Sequence, residues 1–100
     1  MISKFNIEIL GSQEWDLTND NLDVVVTLSE GDRYAATLFT LNNLRSLMDS
    51  YQATGECASG RYMWATHMIV MRDLSLETIH KSIDSMIESN ELSSAFERIG

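Results

Sequence analysis

The stretch LDVVVTLSEGDRYAATLFT, residues 22–40, decides the fold of this chain. Two segments rich in the residue types that favour strands flank a Glu-Gly-Asp turn: Leu22–Ser29 and Arg33–Thr40. Apolar side chains alternate in both segments, and pairing Leu28 with Tyr34 keeps them on one face of the sheet. We therefore predict a hairpin with a three-residue loop in which Gly31 has a left-handed backbone.

The chain around this hairpin predicts an α+β fold. Period-two alternation predicts a strand at residues 4–10, and apolar residues on both parities predict a buried, central strand at residues 61–71. Thr40 and Ser75 are typical N-caps of two helices, the first ended by Gly55. The predicted inward side chains of these helices are Leu41, Leu44, Leu47, Met48 and Tyr51, then Leu76, Ile79, Ile83, Met86 and Ile87.

The expected architecture is one domain over residues 1–100, a mixed four-stranded sheet in the order βββαβα with two helices packed on it. A right-handed crossover through the first helix makes the fourth strand parallel to the third. Residues 12–21 form an exposed connection at the edge where both of these strands end. Residues 93–100 add a short final turn.

Composition favours a folded cytoplasmic protein. The chain has 44% apolar residues and no Pro, which separates it from disordered sequences. Its first ten residues contain Lys4, Asn6 and Glu8, which a signal peptide or a membrane span would exclude. Cys57 is the single cysteine, so no internal disulfide is expected.

The charge pattern is the best indication of a partner. Seven carboxylates and no Lys or Arg lie between Lys4 and Arg33, and the whole chain carries a formal charge of −8. Such a charge repels the phosphates of nucleic acids and anionic lipid headgroups, so neither is an expected partner. A basic protein is the natural counterpart, although a charge of this size also serves solubility alone.

The predicted topology brings part of these acids to one end of the sheet. The candidate partner-binding residues at that end are Trp15, Asp16, Asp20, Asp23 and Asp73. Trp15 is a candidate aromatic anchor, and the alternative is that it folds back onto the sheet. Carboxylates near helix N-termini, as expected for Asp73 and Glu77, are stabilised without any partner.

The sequence gives no pattern for catalysis, for a cofactor or for a metal. Asp16 to Asp20 lacks the alternating ligands and the central Gly of a calcium loop. Neither a nucleophile motif nor a Gly-rich phosphate loop occurs. His67 is interpreted as a packing residue of the central strand and Cys57 as an idle thiol, so we expect a non-catalytic protein.

Four segments resemble a small bacterial family: Tyr34–Leu44, Thr54–Cys57, Gly60–Trp64 and Met68–Val70. Some of its members are identified as immunity proteins of contact-dependent inhibition or polymorphic toxin systems. The resemblance implies a cytoplasmic protein that binds and neutralises a cognate toxin domain, commonly a basic nuclease. It identifies no contact residues.

Three hypotheses of different classes therefore remain open. The first is a toxin-neutralising inhibitor, the second a general interaction or self-associating domain, and the third a small enzyme that uses His67. Salt-dependent binding of one basic protein favours the first, and self-association through a sheet edge favours the second. An activity lost on His67→Gln with the fold intact would favour the third. The oligomeric state is left open.

Overall fold

The computed structural model describes residues 5–11 and 14–100. Within these ranges the strands are β1 (Phe5–Ile9), β2 (Asn21–Leu28), β3 (Arg33–Thr40), β4 (Met68–Met71) and β5 (Glu97–Arg98). The helical segments are α1 (Leu41–Thr54), α2 (Glu56–Gly60), α3 (Leu76–Glu88) and α4 (Leu92–Ala95). The predicted α+β class is confirmed. Lys4 of the predicted first strand, and Ser12 and Gln13 of the predicted connection, lie outside the described residues.

The sheet has the order β1-β2-β3-β4. Strand β5 pairs with β3 along the same edge as β4, but with earlier residues of β3. The first three strands are antiparallel to one another, whereas β4 runs parallel to β3 as the crossover predicts. The described sheet thus has five strands rather than four. A two-residue strand is too short to leave a periodic signal in the sequence, so β5 escaped prediction.

The register of the β2–β3 hairpin differs from the prediction by two residues. Val26, not Leu28, lies opposite Tyr34. The loop closes where Leu28 N–H donates to the Asp32 carbonyl at 2.8 Å, and Gly31 is its third residue, with φ +98°. A type I turn followed by a left-handed residue places the glycine last, so the position of Gly31 fixes the register. A shift of two keeps the predicted apolar face.

The core lies between one face of the sheet and α3. Ile79 and Ile83 of α3 are buried there together with Val26 and Leu38 of the sheet. Ser75 caps α3 as predicted, since its Oγ accepts a hydrogen bond from Thr78 N–H at 3.1 Å. Chain segments after α3 complete the core, because Leu92 and Phe96 are also buried in it.

Helix α1 has the predicted caps but does not contribute to this core. Thr40 Oγ1 accepts from Asn43 N–H, and Gly55 ends the helix with a left-handed backbone. None of its residues is buried, and Leu41 is 69% exposed. The predicted core role of its apolar stripe is therefore wrong, because α1 lies mainly against α2 and the end of β3. Leu76, the first residue of α3, was also predicted inward and is 66% exposed.

The predicted central strand at residues 61–71 is wrong in length and in position. Only its last four residues form β4, and β4 lies at the end of the sheet order. His67, directly before β4, has φ +51°, a conformation that interrupts a strand. The edge of β3 beyond that point is taken by β5, which pairs Glu97 with Ala35. Trp64 consequently remains 70% exposed.

Candidate docking surface

A loop at residues 14–20 joins the beginnings of α1 and α3. Its last residue, Asp20, donates its N–H to Thr40 Oγ1 and accepts from Thr40 N–H, both at 3.3 Å. Its middle residue, Leu17, accepts from Leu74 N–H at 2.7 Å. Because Thr40 caps α1 and Leu74 directly precedes the cap of α3, the loop is fastened to both helix starts. The expected location of this connection is confirmed for its described residues.

Trp15 anchors the loop to the body of the protein. Its indole Nε1–H donates to the Leu74 carbonyl at 2.8 Å, and its half-buried ring packs against the core. The side chain has therefore folded back, which was the alternative to an exposed interface anchor. Its remaining exposed edge still contributes to the surface described below.

Asp16 and Asp20 are held by neutral donors of the loop and of Asn21, the first residue of β2. Asp16 Oδ1 accepts from Thr18 N–H at 3.0 Å, from Thr18 Oγ1 at 3.3 Å and from Asn19 N–H at 3.1 Å. Asp20 accepts from Asp16 N–H at 3.1 Å and from Asn21 N–H at 2.8 Å. The backbone hydrogen bond from Thr18 is the main reason why the pKa of Asp16 lies below its ordinary value. The hydrogen bonds therefore hold both carboxylates of the loop in fixed positions.

Asp73 brings a third carboxylate to this end of the molecule. Its Oδ1 accepts from Ser75 N–H at 2.9 Å, directly before α3. Hydrogen bonds from the Ser75 hydroxyl, then from its backbone N–H, lower the pKa of Asp73, and the positive charge of Arg72 assists. Glu77, one turn into α3, instead forms an ion pair with Lys81 at 2.9 Å. We call the carboxylates of Asp16, Asp20 and Asp73 the acidic end.

Asp23 does not belong to the acidic end. It lies two residues into β2, on the sheet face opposite the core, where Thr37 Oγ1 donates to its Oδ1 at 2.6 Å. Successive side chains of a strand point to opposite faces, so Asp23 and the loop carboxylates present their charges in different directions. The structure thus groups three of the four predicted aspartates with Trp15.

Exposed leucines accompany the acidic end. Leu17 and Leu76 are 50% and 66% exposed, and together with Glu14 and Trp15 they line a shallow depression. We call it the leucine depression. Leu17 interrupts a polar loop, a signal that the sequence did contain. The exposure of Leu76 had no such signal, since its spacing matches that of the buried residues of α3.

Among the described residues, no group of three or more His, Cys, Asp and Glu side chains has an arrangement that could hold a metal ion. His67 Nδ1 lies 3.8 Å from Glu97 Oε2, at the junction of β4 and β5. It was predicted inside a strand as a packing residue and is only partly buried. Cys57 is half-buried in α2 as a free thiol. Within residues 5–11 and 14–100, no helix is long and apolar enough to cross a membrane.

Comparison of the sequence with protein-family models and with curated proteins, and of the fold with solved structures, gave no match. The resemblance to a family that includes immunity proteins therefore stays a prediction. The function has to be inferred from the surface itself.

Proposed function

We propose that this chain is a non-catalytic binding protein that docks a basic protein through the acidic end, and that it acts as an immunity protein neutralising a cognate toxin. A basic nuclease domain is the partner that its charge suits best. The observation that carries this proposal is that Asp16, Asp20 and Asp73 are held by hydroxyl and backbone donors. Three negative charges are thus fixed without being cancelled by an ion pair of the described chain.

Carboxylates that are already fixed in the free protein lower the entropic cost of binding. Backbone donors orient Asp16 and Asp20 in the free protein, so a partner does not have to order these side chains. Their field attracts a basic surface over roughly the Debye length, about 8 Å at physiological ionic strength. Complementary charge of this kind raises the association rate and excludes acidic competitors.

Apolar contact area lies beside the charges. Leu17, Leu76 and the exposed edge of Trp15 supply a centre that a partner can desolvate, and the carboxylates form its rim. Stable protein interfaces combine such a centre with a polar rim. An inhibitor that occupies the basic nucleic-acid groove of a nuclease needs both features, since charge steers it and apolar contact retains it.

The test uses the product of the gene immediately upstream as the candidate toxin. Co-expression should rescue growth, and the two proteins should co-purify in a complex that salt weakens. Asp16→Asn combined with Asp20→Asn should weaken binding about tenfold or more. A control with the same charge change, Glu30→Gln combined with Glu91→Gln, alters exposed acids elsewhere and should bind as wild type.

If the upstream gene product is harmless or does not bind this protein, the immunity role loses its support. An equal loss of binding affinity in both charge variants would show that net charge, rather than the acidic end, governs association.

The second candidate function, a self-associating domain, is favoured by the unpaired edge of β1 among the described residues. Sedimentation of the protein alone at increasing concentration tests it.

A further inference from the structure

The outer edge of β1 presents unpaired backbone groups. In the described sheet β1 pairs with β2 alone. Leu10 N–H donates to the Asp23 carbonyl at 2.9 Å, which continues the β1–β2 register and makes this a hydrogen-bonded position. Such positions alternate in an antiparallel pair. Every second residue counted back from Leu10 therefore bonds to β2. The residues between them, Phe5, Ile7 and Ile9, direct their backbone groups away from β2, toward the free edge.

The same three residues form one wall of a groove. Their side chains face α3, and Leu76, Ile79 and His80 form the opposite wall around a cavity of about 290 Å³. The rings of Phe5 and His80 have centroids 4.8 Å apart and close one end of the groove. This volume lies at the lower limit of small-molecule pockets, about 300–1,000 Å³. It suits a few side chains of a polypeptide.

The groove continues into the surface already described. Leu76 lines both the groove and the leucine depression, where it meets Trp15 and Leu17. An extended chain lying along β1 would therefore reach the acidic end as it passes Ile9. Charge complementarity places Lys or Arg at that end of the chain.

We infer that β1 is the docking edge for an extended segment of the basic partner, which adds to the sheet as a further strand. The segment has apolar residues at every second position, directed into the groove, and basic residues where it passes the acidic end. A helix would leave the backbone groups of Ile7 and its neighbours without partners, whereas an added strand bonds to them. This inference rests on the proposed function, because it specifies how the basic partner binds.

A second copy of this chain is the less suitable occupant. Each copy has a formal charge of −8, so pairing two copies edge to edge opposes their fields. A basic segment relieves the same repulsion.

Two synthetic peptides of about ten residues, the length of a long strand, test the inference. One alternates Val with Lys, and the other carries the same residues in Val-Val-Lys-Lys repeats, which direct Val and Lys in turn toward the groove. The alternating peptide should bind about tenfold tighter to the wild-type protein. Its binding should slow the amide hydrogen exchange of Phe5, Ile7 and Ile9.

Two variants remove the proposed contacts differently. Ile7→Pro deletes an outward N–H while leaving the neighbouring bonds to β2, a place where an edge strand tolerates Pro. Leu76→Ser shortens an exposed wall of the groove and should fold as wild type. Each should abolish the preference for the alternating peptide. If Ile7→Pro does not fold, as judged by circular dichroism, Leu76→Ser carries the test.

Equal binding of the two peptides, or exchange protection confined to the loop at residues 14–20, would overturn the inference. Self-association that Ile7→Pro abolishes and the peptide does not displace would assign the edge to a second copy and would also overturn it. With the upstream gene product, loss of binding on Asp16→Asn and Asp20→Asn but retention on Ile7→Pro would leave the proposed function standing without strand addition. Failure of that product to bind wild type would count against the proposed function, while the peptides still test the edge.

Discussion

Replacing Phe96 with Ala should remove a large part of the stability of this protein. Phe96 is 1% exposed and belongs to the core cluster, although only four residues follow it in the sequence. Truncating a buried Phe to Ala costs about 3–5 kcal/mol, because apolar burial is lost and a cavity remains. Total stabilities of small domains are about 5–15 kcal/mol. For a domain of this size the melting temperature should fall by about 12–40 °C.

Urea unfolding followed by far-ultraviolet circular dichroism measures this loss. Ile99→Ala is the matched control, since Ile99 lies in the same terminal segment but is 43% exposed. It should cost less than about 1 kcal/mol. A loss for Phe96→Ala as small as that expected for Ile99→Ala would refute the reasoning, because it would show that the segment carrying α4 and β5 is not docked on the core.

Three further predictions concern single features of the fold. Gly60→Ala should destabilise the fold strongly, because Gly60 has φ +83° and an added Cβ would collide with a carbonyl of α1. In Gly31→Ala the added Cβ meets open space, so this variant should lose only about 1–2 kcal/mol of stability for its φ of +98°. Thermal melts compare the two variants. Trp15→Phe should cost about 1–3 kcal/mol in urea unfolding, because it leaves a buried carbonyl without its donor. Because folding lowers the pKa values of Asp16 and Asp73, these carboxylates stabilise the fold at pH values above their ordinary pKa of 3.8. This stabilisation is lost as the pH falls through the pKa values of the folded state. Asn at both positions should therefore flatten the decline of stability below about pH 4.

The local features of the fold were predictable from the sequence. The caps Thr40, Ser75 and Gly55 occupy the predicted positions because each acts through a hydrogen bond or a backbone angle within a few residues. The shared apolar face of the hairpin was likewise predictable, since it depends only on period-two alternation. Its register was not, because the place of Gly31 in the loop decides it.

The packing of α1 and the extent of β4 could not be predicted from the sequence, because they depend on tertiary context. Both α1 and α3 carry apolar residues at helical spacing, yet only α3 buries residues in the core. An apolar stripe predicts that one face of a helix packs against another part of the protein, but it does not specify which part. The segment before β4 has good strand composition, but His67 interrupts it and β5 takes its place beside Ala35. Both outcomes depend on distant parts of the chain.

The candidate site was predictable to a similar degree. Acid density and the crossover rule placed Asp16, Asp20 and Asp73 at one end because helix starts and strand ends meet there. Asp23 was misplaced, since alternation along β2 turns its side chain to the other sheet face. No pattern in the chain indicated that Leu76 would stay exposed beside these charges.

The acidic end allows charge and loop order to be separated experimentally. Replacing Asp16 with Asn keeps an oxygen that can accept from Thr18 and Asn19, and it removes the negative charge. Replacing it with Ala removes both. If long-range steering dominates, the Asn variant slows association and high salt abolishes the difference from wild type. If the ordered loop itself is the contact, the Asn variant associates nearly as wild type, and only the Ala variant dissociates faster. Because the loop is fastened to both helix starts, this comparison has to be made at a temperature where both variants remain folded.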